Sequence, residues 1–281
     1  MTWWQAIVIG VVEGITEYLP VSSTGHLILT TWLLGLDRPE QKAALDAYLV
    51  VVQGGAILAV LGLYWPRIAQ MLRGLRGRDP EGLRLAAHIA LAFLPAAIVG
   101  VFLDDVIKAF LFRAAPVLAA LAAGGVWMIW LGRNVRPGGD VTTLSAATAL
   151  GIGCFQVLAL WPGTSRSMVT IAGAMILRLN PVAAAEFSFL LGVPTLGAAC
   201  LHDLVGNLRA AAQGTAPSMI AQFGAGHLAL GFAVATLSAG LAVRWLVGFL
   251  TRSGLAPFGW YRLWLAALLS VLSLGGVVQI E

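Results

Sequence analysis

The chain has 281 residues, 59% of them hydrophobic and only 11% charged, with a formal net charge of +4. A soluble domain carries roughly a quarter charged residues, so 17 Lys+Arg and 13 Asp+Glu are too few to solvate a protein of this size, and disorder, collagen and a disulfide scaffold are excluded too. The chain reads as an all-α polytopic membrane protein whose positive balance reflects topology rather than nucleic-acid binding.

The first segment, residues 3–36, is apolar but broken by Glu13, Glu17 and the run Pro20-Val21-Ser22-Ser23-Thr24-Gly25-His26. Its start lacks a basic leader and a small-residue cleavage site, so Met1 to Tyr18 is not expected to be a removed signal peptide. Glu13 and Glu17 are four apart and share one helix face. Each charge at mid-membrane costs about 2.5–3.5 kcal/mol, so two in one turn point to a cation site or an acid/base pair. Pro20 stops the helix. A second helix is expected to start near Gly25, and its unpaired N–H groups, with Ser22, Ser23 and Thr24 before them, form a ready anion site. His26 sits in its first turn, where its company favours a role in the chemistry.

Apolar stretches at about 43–65, 86–103 and 114–131 follow, each long enough to span. Loop 66–84 carries Arg67, Arg73, Arg76, Arg78 and Arg84 and is expected to be cytoplasmic. Residues 104–113, with Asp104 and Asp105, then form an outer loop, and 132–140 an inner one. A second broken segment, 143–179, contains Trp161-Pro162-Gly163-Thr164-Ser165-Arg166-Ser167 and then Thr170. Here too a helix stops, a hydroxyl-rich loop follows and a helix restarts, and Arg166 adds a fork suited to phosphate oxygens. The bland alternative is an Arg166–Glu17 pair of purely structural use. Stretches at 184–201, 222–248 and 260–278 complete the chain, with 202–218 outside and 249–259 inside.

Both broken segments leave pieces too short to span, so each is expected to be a re-entrant helix–loop–helix hairpin, its polar loop lining a wet cavity. A shift of 142 residues places Pro20 on Pro162, Ser23 on Ser165 and Pro39 on Pro181. One transmembrane domain built of two repeats follows, about 1–136 and 137–281. Each has one hairpin and three spans. Three is odd, so the repeats are inverted. Inner loops and helix ends hold 12 Lys+Arg and outer ones 5. Cys154 and Cys200 lie in apolar runs and are expected to be buried. Gln53 and Glu186 are candidates for contacts behind the site. His88, His202 and His227 have no polar companions that form a motif.

Over Glu13–His26 (E-G-I-T-E-Y-L-P-V-S-S-T-G-H) and Pro162–Ser167 (P-G-T-S-R-S), the chain closely resembles the bacterial undecaprenyl-diphosphate phosphatase family of the bacitracin-resistance type. The likeness covers essentially the whole chain. It departs at Met168, where the family usually has Gly, and at Leu49, where many members carry an acid and Asp46 is the nearest substitute. The resemblance implies a multi-pass protein of the bacterial inner membrane. It implies hydrolysis of a C55 isoprenyl diphosphate to the monophosphate and inorganic phosphate, recycling the cell-wall lipid carrier, in a site opening to the outer face. Glu17, Ser23, His26 and Arg166 are then expected to be catalytic. Glu13, Ser22, Thr24, Gly163, Thr164, Ser165, Ser167 and Thr170 are expected to bind substrate, with Glu13 and Glu17 as ligands for Mg²⁺ or Ca²⁺. Ser23 as nucleophile with His26 as base, His26 as nucleophile, and a water held by Glu17 all remain open. The partners expected are the lipid substrate and the bilayer, not nucleic acid, with a homodimer left open. The competing function is a flippase or transporter of the phosphorylated lipid, on the strength of the broken helices and repeats.

Overall fold

The computed structural model describes residues 1–111, 113–134, 138–215 and 217–276. In chain order the helices are α1 (Trp3–Tyr18), α2 (Ser23–Leu33), α3 (Lys42–Leu63), α4 (Trp65–Leu75), α5 (Pro80–Leu111), α6 (Ala114–Asn134), α7 (Ala146–Val157), α8 (Arg166–Ile176), α9 (Pro181–Ala212), α10 (Met219–Phe223), α11 (Ala225–Ser253) and α12 (Ala256–Leu274). Among the described residues the only β-type contact is an isolated bridge between Gly139 and Leu179.

Among the described residues six helices are long and apolar enough to cross a membrane: α3 with the 3₁₀ turn before it, α5, α6, α9, α11 and α12. They match the six apolar stretches of the sequence. Two run further than hydropathy predicts. Helix α5 continues to Leu111 and α9 to Ala212, where outer loops were expected. A helix needs only satisfied backbone hydrogen bonds to continue past the hydrocarbon edge, so an apolar run underestimates its length. Much of the segment 66–84, expected to lie inside, is taken up by α4, which has Pro66 in its first turn and Arg73 in its last. The side chains of Asp104 and Asp105, and the repeat boundary at 136–137, lie outside the described residues. Phe102 is 80% exposed and Leu237 71%, an outer surface that is costly in water and neutral against lipid.

Four of the shorter helices, α1, α2, α7 and α8, flank the two breaks. Leu19 and Trp161, each preceding a proline, are extended. The next helix then starts on Ser22 or Ser165, whose side chain caps it. The caps are 143 positions apart, one more than the two prolines, because Gly163 lengthens the second loop. The structural partner of Ser165 is therefore Ser22 rather than Ser23. Helices α2 and α8 both have 11 residues and end alike, with Gly35 and Arg178 at positive φ. At about 1.5 Å per residue each is roughly 16 Å long, half a hydrocarbon core.

Packing follows the same pairing. Helix α1 lies on α11 and α7 on α5, α3 meets α9, and α6 meets α12. On α1, Gly10 and Gly14 let α11 approach closely: a Cβ at Gly14 would stand 2.4 Å from the Ala235 carbonyl oxygen. Helix α8 is buried from Arg166 to Met175 and forms the middle of the main core with α9. Helix α2 buries only Gly25, Thr30 and Thr31. Both cysteines are free, but Cys154 is exposed rather than buried, because it faces outward from α7. Cys200 is half-buried and donates to the Val50 carbonyl at 2.9 Å.

Candidate active site

The two breaks meet. The Ser167 hydroxyl of the second donates to the Leu19 carbonyl of the first at 3.0 Å. The N-termini of α2 and α8 therefore end at one cleft of about 170 Å³, lined by Glu17, Ser22, Ser23, Thr24 and Gln53 from one side and by Trp161, Pro162, Gly163, Ser165 and Arg166 from the other. At roughly 30 Å³ per water, this is space for a headgroup rather than a lipid chain.

Glu17 is the hub. Its Oε2 accepts from the Ser23 hydroxyl at 2.9 Å and from the Gln53 amide at 2.7 Å. Its Oε1 accepts from Arg166 at 3.2 Å, both side chains being buried. Pro20 makes this possible: ending α1 at Tyr18 leaves a turn that folds Ser23 back beside the carboxylate. Arg166 is further fixed by donation to the Ser188 carbonyl at 3.0 Å and by the Tyr18 ring, 5.2 Å from its guanidinium carbon. Its Nε has no partner. The guanidinium is thus held at the cleft with donor capacity left over.

Ser22 and Ser165 both stand at positive φ, 72° and 74°. For a residue with a Cβ this costs roughly 1–2 kcal/mol. Each nevertheless accepts a backbone N–H from three residues on, Gly25 at 3.4 Å and Met168 at 3.3 Å. Both helix starts thus lie at the cleft, which Ser22, Ser23, Ser165 and Arg166 line. Thr170, one turn into α8, instead bonds the Arg166 carbonyl and, at 2.6 Å, the Ser188 hydroxyl, so it supports the arginine from below. Thr164 is buried beside Gly163.

His26 and Ser23 are not joined by a hydrogen bond. The Nδ1 of His26 lies 2.7 Å from the Ser22 carbonyl and Nε2 lies 2.6 Å from the Tyr261 hydroxyl, while Ser23 is taken by Glu17. A carbonyl only accepts, so Nδ1 carries the proton and, in the neutral ring, Nε2 accepts from Tyr261. The rings of His26 and Tyr261 also stack, 5.6 Å apart.

Glu13 is 1% exposed, and neither of its carboxylate oxygens has a hydrogen-bond partner. An ionised carboxylate without a partner there is costly. Among the described residues no three His, Cys, Asp or Glu gather as a ligand cluster. The donor set therefore fits only a hard cation that takes one or two carboxylates and completes its shell with phosphate oxygens or water.

Of the residues offered as contacts behind the site, Gln53 is one. Glu186 is not: it pairs with Arg67 at 2.7 Å, beside a small cavity lined by Arg84 and His88. Asp46 is exposed with Lys42 and Asp203 as charged neighbours, and Leu49 is packed with apolar residues. Met168 is buried, with its methyl group in space vacated by Gly124, where a Cβ would stand 2.8 Å from it. Sequence reading missed Tyr18, Ser188, Tyr261 and Arg262. The one available signal was an arginine placed inside an apolar run, at 262.

A family model described as bacitracin resistance protein BacA matches residues 6–268. The chain is 49% identical over 273 residues to the undecaprenyl-diphosphatase of Sorangium cellulosum (strain So ce56), covering 95% of this chain and 85% of that one. It is 44% identical to the undecaprenyl-diphosphatase of Deinococcus radiodurans, covering 99% and 98%. It is 42% identical to undecaprenyl-diphosphatase 2 of Rhodospirillum rubrum, covering 92% and 90%.

Proposed function

The chain belongs to the bacitracin resistance protein BacA family, and from that premise we propose that it is a multi-pass membrane phosphatase that hydrolyses undecaprenyl diphosphate to undecaprenyl phosphate and inorganic phosphate, recycling the lipid carrier of the cell wall. The observation that carries this reading is the Ser23–Glu17–Arg166 array: a hydroxyl on a carboxylate, on the wall of a cleft that also holds a buried guanidinium.

The diphosphate enters between the starts of α2 and α8, and the isoprenyl tail lies along the apolar exterior. Arg166 and the helix N–H groups neutralise the phosphoryl oxygens, which is most of what phosphoryl transfer asks of a protein. Ser23 Oγ attacks the terminal phosphorus while Glu17 takes its proton. The bond to the bridging oxygen breaks, and the lipid monophosphate leaves. Water then cleaves the phosphoserine to give inorganic phosphate. The 2.9 Å bond from Ser23 supports Glu17 rather than His26 as the base, and a water activated by Glu17 is the rival nucleophile. His26 acts on the loop, by holding the Ser22 carbonyl. Glu13 and Glu17 would hold a Mg²⁺ or Ca²⁺ ion, which would supply further neutralisation of the diphosphate.

The two broken segments are re-entrant hairpins of an inverted repeat, about 1–136 and 137–281, in the inner membrane, with the cleft opening to the outer face. The matched caps of α2 and α8 and the reciprocal packing of α1 on α11 and α7 on α5 support this. The same pairing favours a second reading, a flippase for the phosphorylated lipid.

The test is phosphate release by the purified chain in detergent from farnesyl or undecaprenyl diphosphate, with Mg²⁺ or Ca²⁺ supplied. Release that is lost in Arg166→Ala and Glu17→Ala is expected. Folded wild-type protein that releases none would overturn the phosphatase reading in favour of lipid translocation.

A further inference from the structure

Arg262, on α12, is a buried charge away from the lining of the cleft. It is 0% exposed and heads the fully buried side chains in size. Its Nε donates to the Leu121 carbonyl at 3.2 Å, and Nη2 donates to Ala120 at 3.1 Å and to Gly163 at 2.8 Å. Nη1 has no partner. Among the described residues no carboxylate pairs with it. A buried cation without a counter-ion is expensive, and an apolar side chain of like volume would usually serve packing better. Packing alone therefore does not account for it.

What it grips is informative. Ala120 and Leu121 belong to α6, while Gly163 lies in the second loop and lines the cleft. Gly163 has φ +89° and is pressed on α6, where a Cβ would stand 2.4 Å from the Val117 carbonyl oxygen. The guanidinium thus ties the loop to α6 from behind, two residues before Ser165. The preceding residue on α12, Tyr261, reaches His26 in the other half of the site at 2.6 Å. Consecutive residues of one helix so contact both sides of the cleft.

We propose that Arg262 is a positioning residue for phosphoryl transfer: its fork fixes the Gly163 carbonyl against α6, and so fixes where Ser165 and Arg166 stand opposite Glu17 and Ser23. Its uncompensated charge, one peptide behind the cleft wall, also favours an anion in the cleft. This rests on the phosphatase reading above. Lys at 262 keeps the charge but reaches fewer carbonyls than the fork does; Met loses both.

The experiment is steady-state phosphate release from farnesyl diphosphate by the full chain in detergent, with thermal unfolding of each variant measured without substrate. Arg262→Lys is expected to lower kcat by about 10–100-fold, as small misplacements do, with KM little changed. Arg262→Met is expected to lower kcat and raise KM. Gly163→Ala disturbs the same contact from the loop side, so the double variant Arg262→Lys/Gly163→Ala should lose no more than the worse single one. Wild-type kcat and KM in both Arg262 variants, losses that merely follow the folded fraction, or losses that multiply in the double variant would each overturn the inference while leaving the phosphatase reading intact. A wild-type protein without phosphate release would remove both.

Discussion

The two helix–break–helix segments have the same backbone and different surroundings. In each, a residue before proline is extended, a serine at positive φ caps an 11-residue helix, and the helix ends on a residue at positive φ. Yet α8 is buried along ten consecutive residues, whereas α2 buries three. The first break carries the carboxylate, the hydroxyl bonded to it and the imidazole. The second carries the guanidinium and is anchored from behind by α9 and α12 through Ser188 and Arg262. Geometry is duplicated and side chains are divided: on the mechanism proposed above, one side reacts and the other holds charge in place. On that mechanism, the half-exposed α2 is the side from which a lipid headgroup would arrive.

That division makes the two sides unequal under substitution. Arg166→Ala is the largest disturbance. It should cut phosphate release about 10²–10³-fold, the usual loss of a transition-state donor, and lower stability by about 3–5 kcal/mol, since the buried Glu17 is left without its counter-ion. Kinetics and thermal unfolding on one sample read both effects. Near-normal turnover would move the anion site elsewhere. Next come the two serines that the sequence shift equates, Ser23 and Ser165. Ser23→Ala is expected to lose at least about 10²-fold in kcat as the proton donor to Glu17 disappears. Ser165→Ala should lose about 1 kcal/mol of stability, as for a missing cap, and much less turnover. Equal kinetic losses would mean that the two sides share the chemistry after all.

Smaller effects test the duplicated backbone itself. At Ser22 and Ser165, Gly relieves positive φ at the cost of a few tenths of a kcal/mol in capping. Ser22→Gly should therefore raise the unfolding temperature slightly, and Ser22→Ala should lower it by about 1 kcal/mol in stability. The reverse order would show that the strain is not where φ places it. Smallest is a site remote from both loops. The Gly82 backbone N–H, donating to Asp79 at 2.9 Å before α5, and Arg73 nearby hold that carboxyl below the usual carboxylate range. Its contribution to stability is present above the unfolded-state value and is lost as pH falls through the folded one. Asp79→Asn should flatten that acid limb in thermal unfolding and leave turnover at neutral pH unchanged.

Much of this was legible in the residues. The six spanning helices follow from hydropathy, because lipid leaves a helix few alternatives. The two breaks follow from Pro20 and Pro162, and the cleft from hydroxyls beside Glu17 and Arg166, since polar groups inside apolar segments need a purpose. The register of the pairing was read one residue off at the serines, because a proline marks where a helix stops but not how many residues the turn uses before the next one begins. The extensions of α5 and α9 were invisible for a similar reason: hydropathy reports the solvent, not the hydrogen bonds.

By itself the sequence determined the class of molecule, its segments and the residue types gathered for phosphate chemistry, all of which depend on local spacing and on the cost of charge in lipid. Only the tertiary structure decided who bonds whom. It gave Ser23 to Glu17 and His26 to Tyr261, turned Glu186 away toward Arg67, and set Arg262 behind Gly163. Those partners lie up to 235 positions apart. No local pattern encodes such contacts, because they are fixed by which helices pack and by the few small residues, such as Gly14 and Gly124, that let them approach.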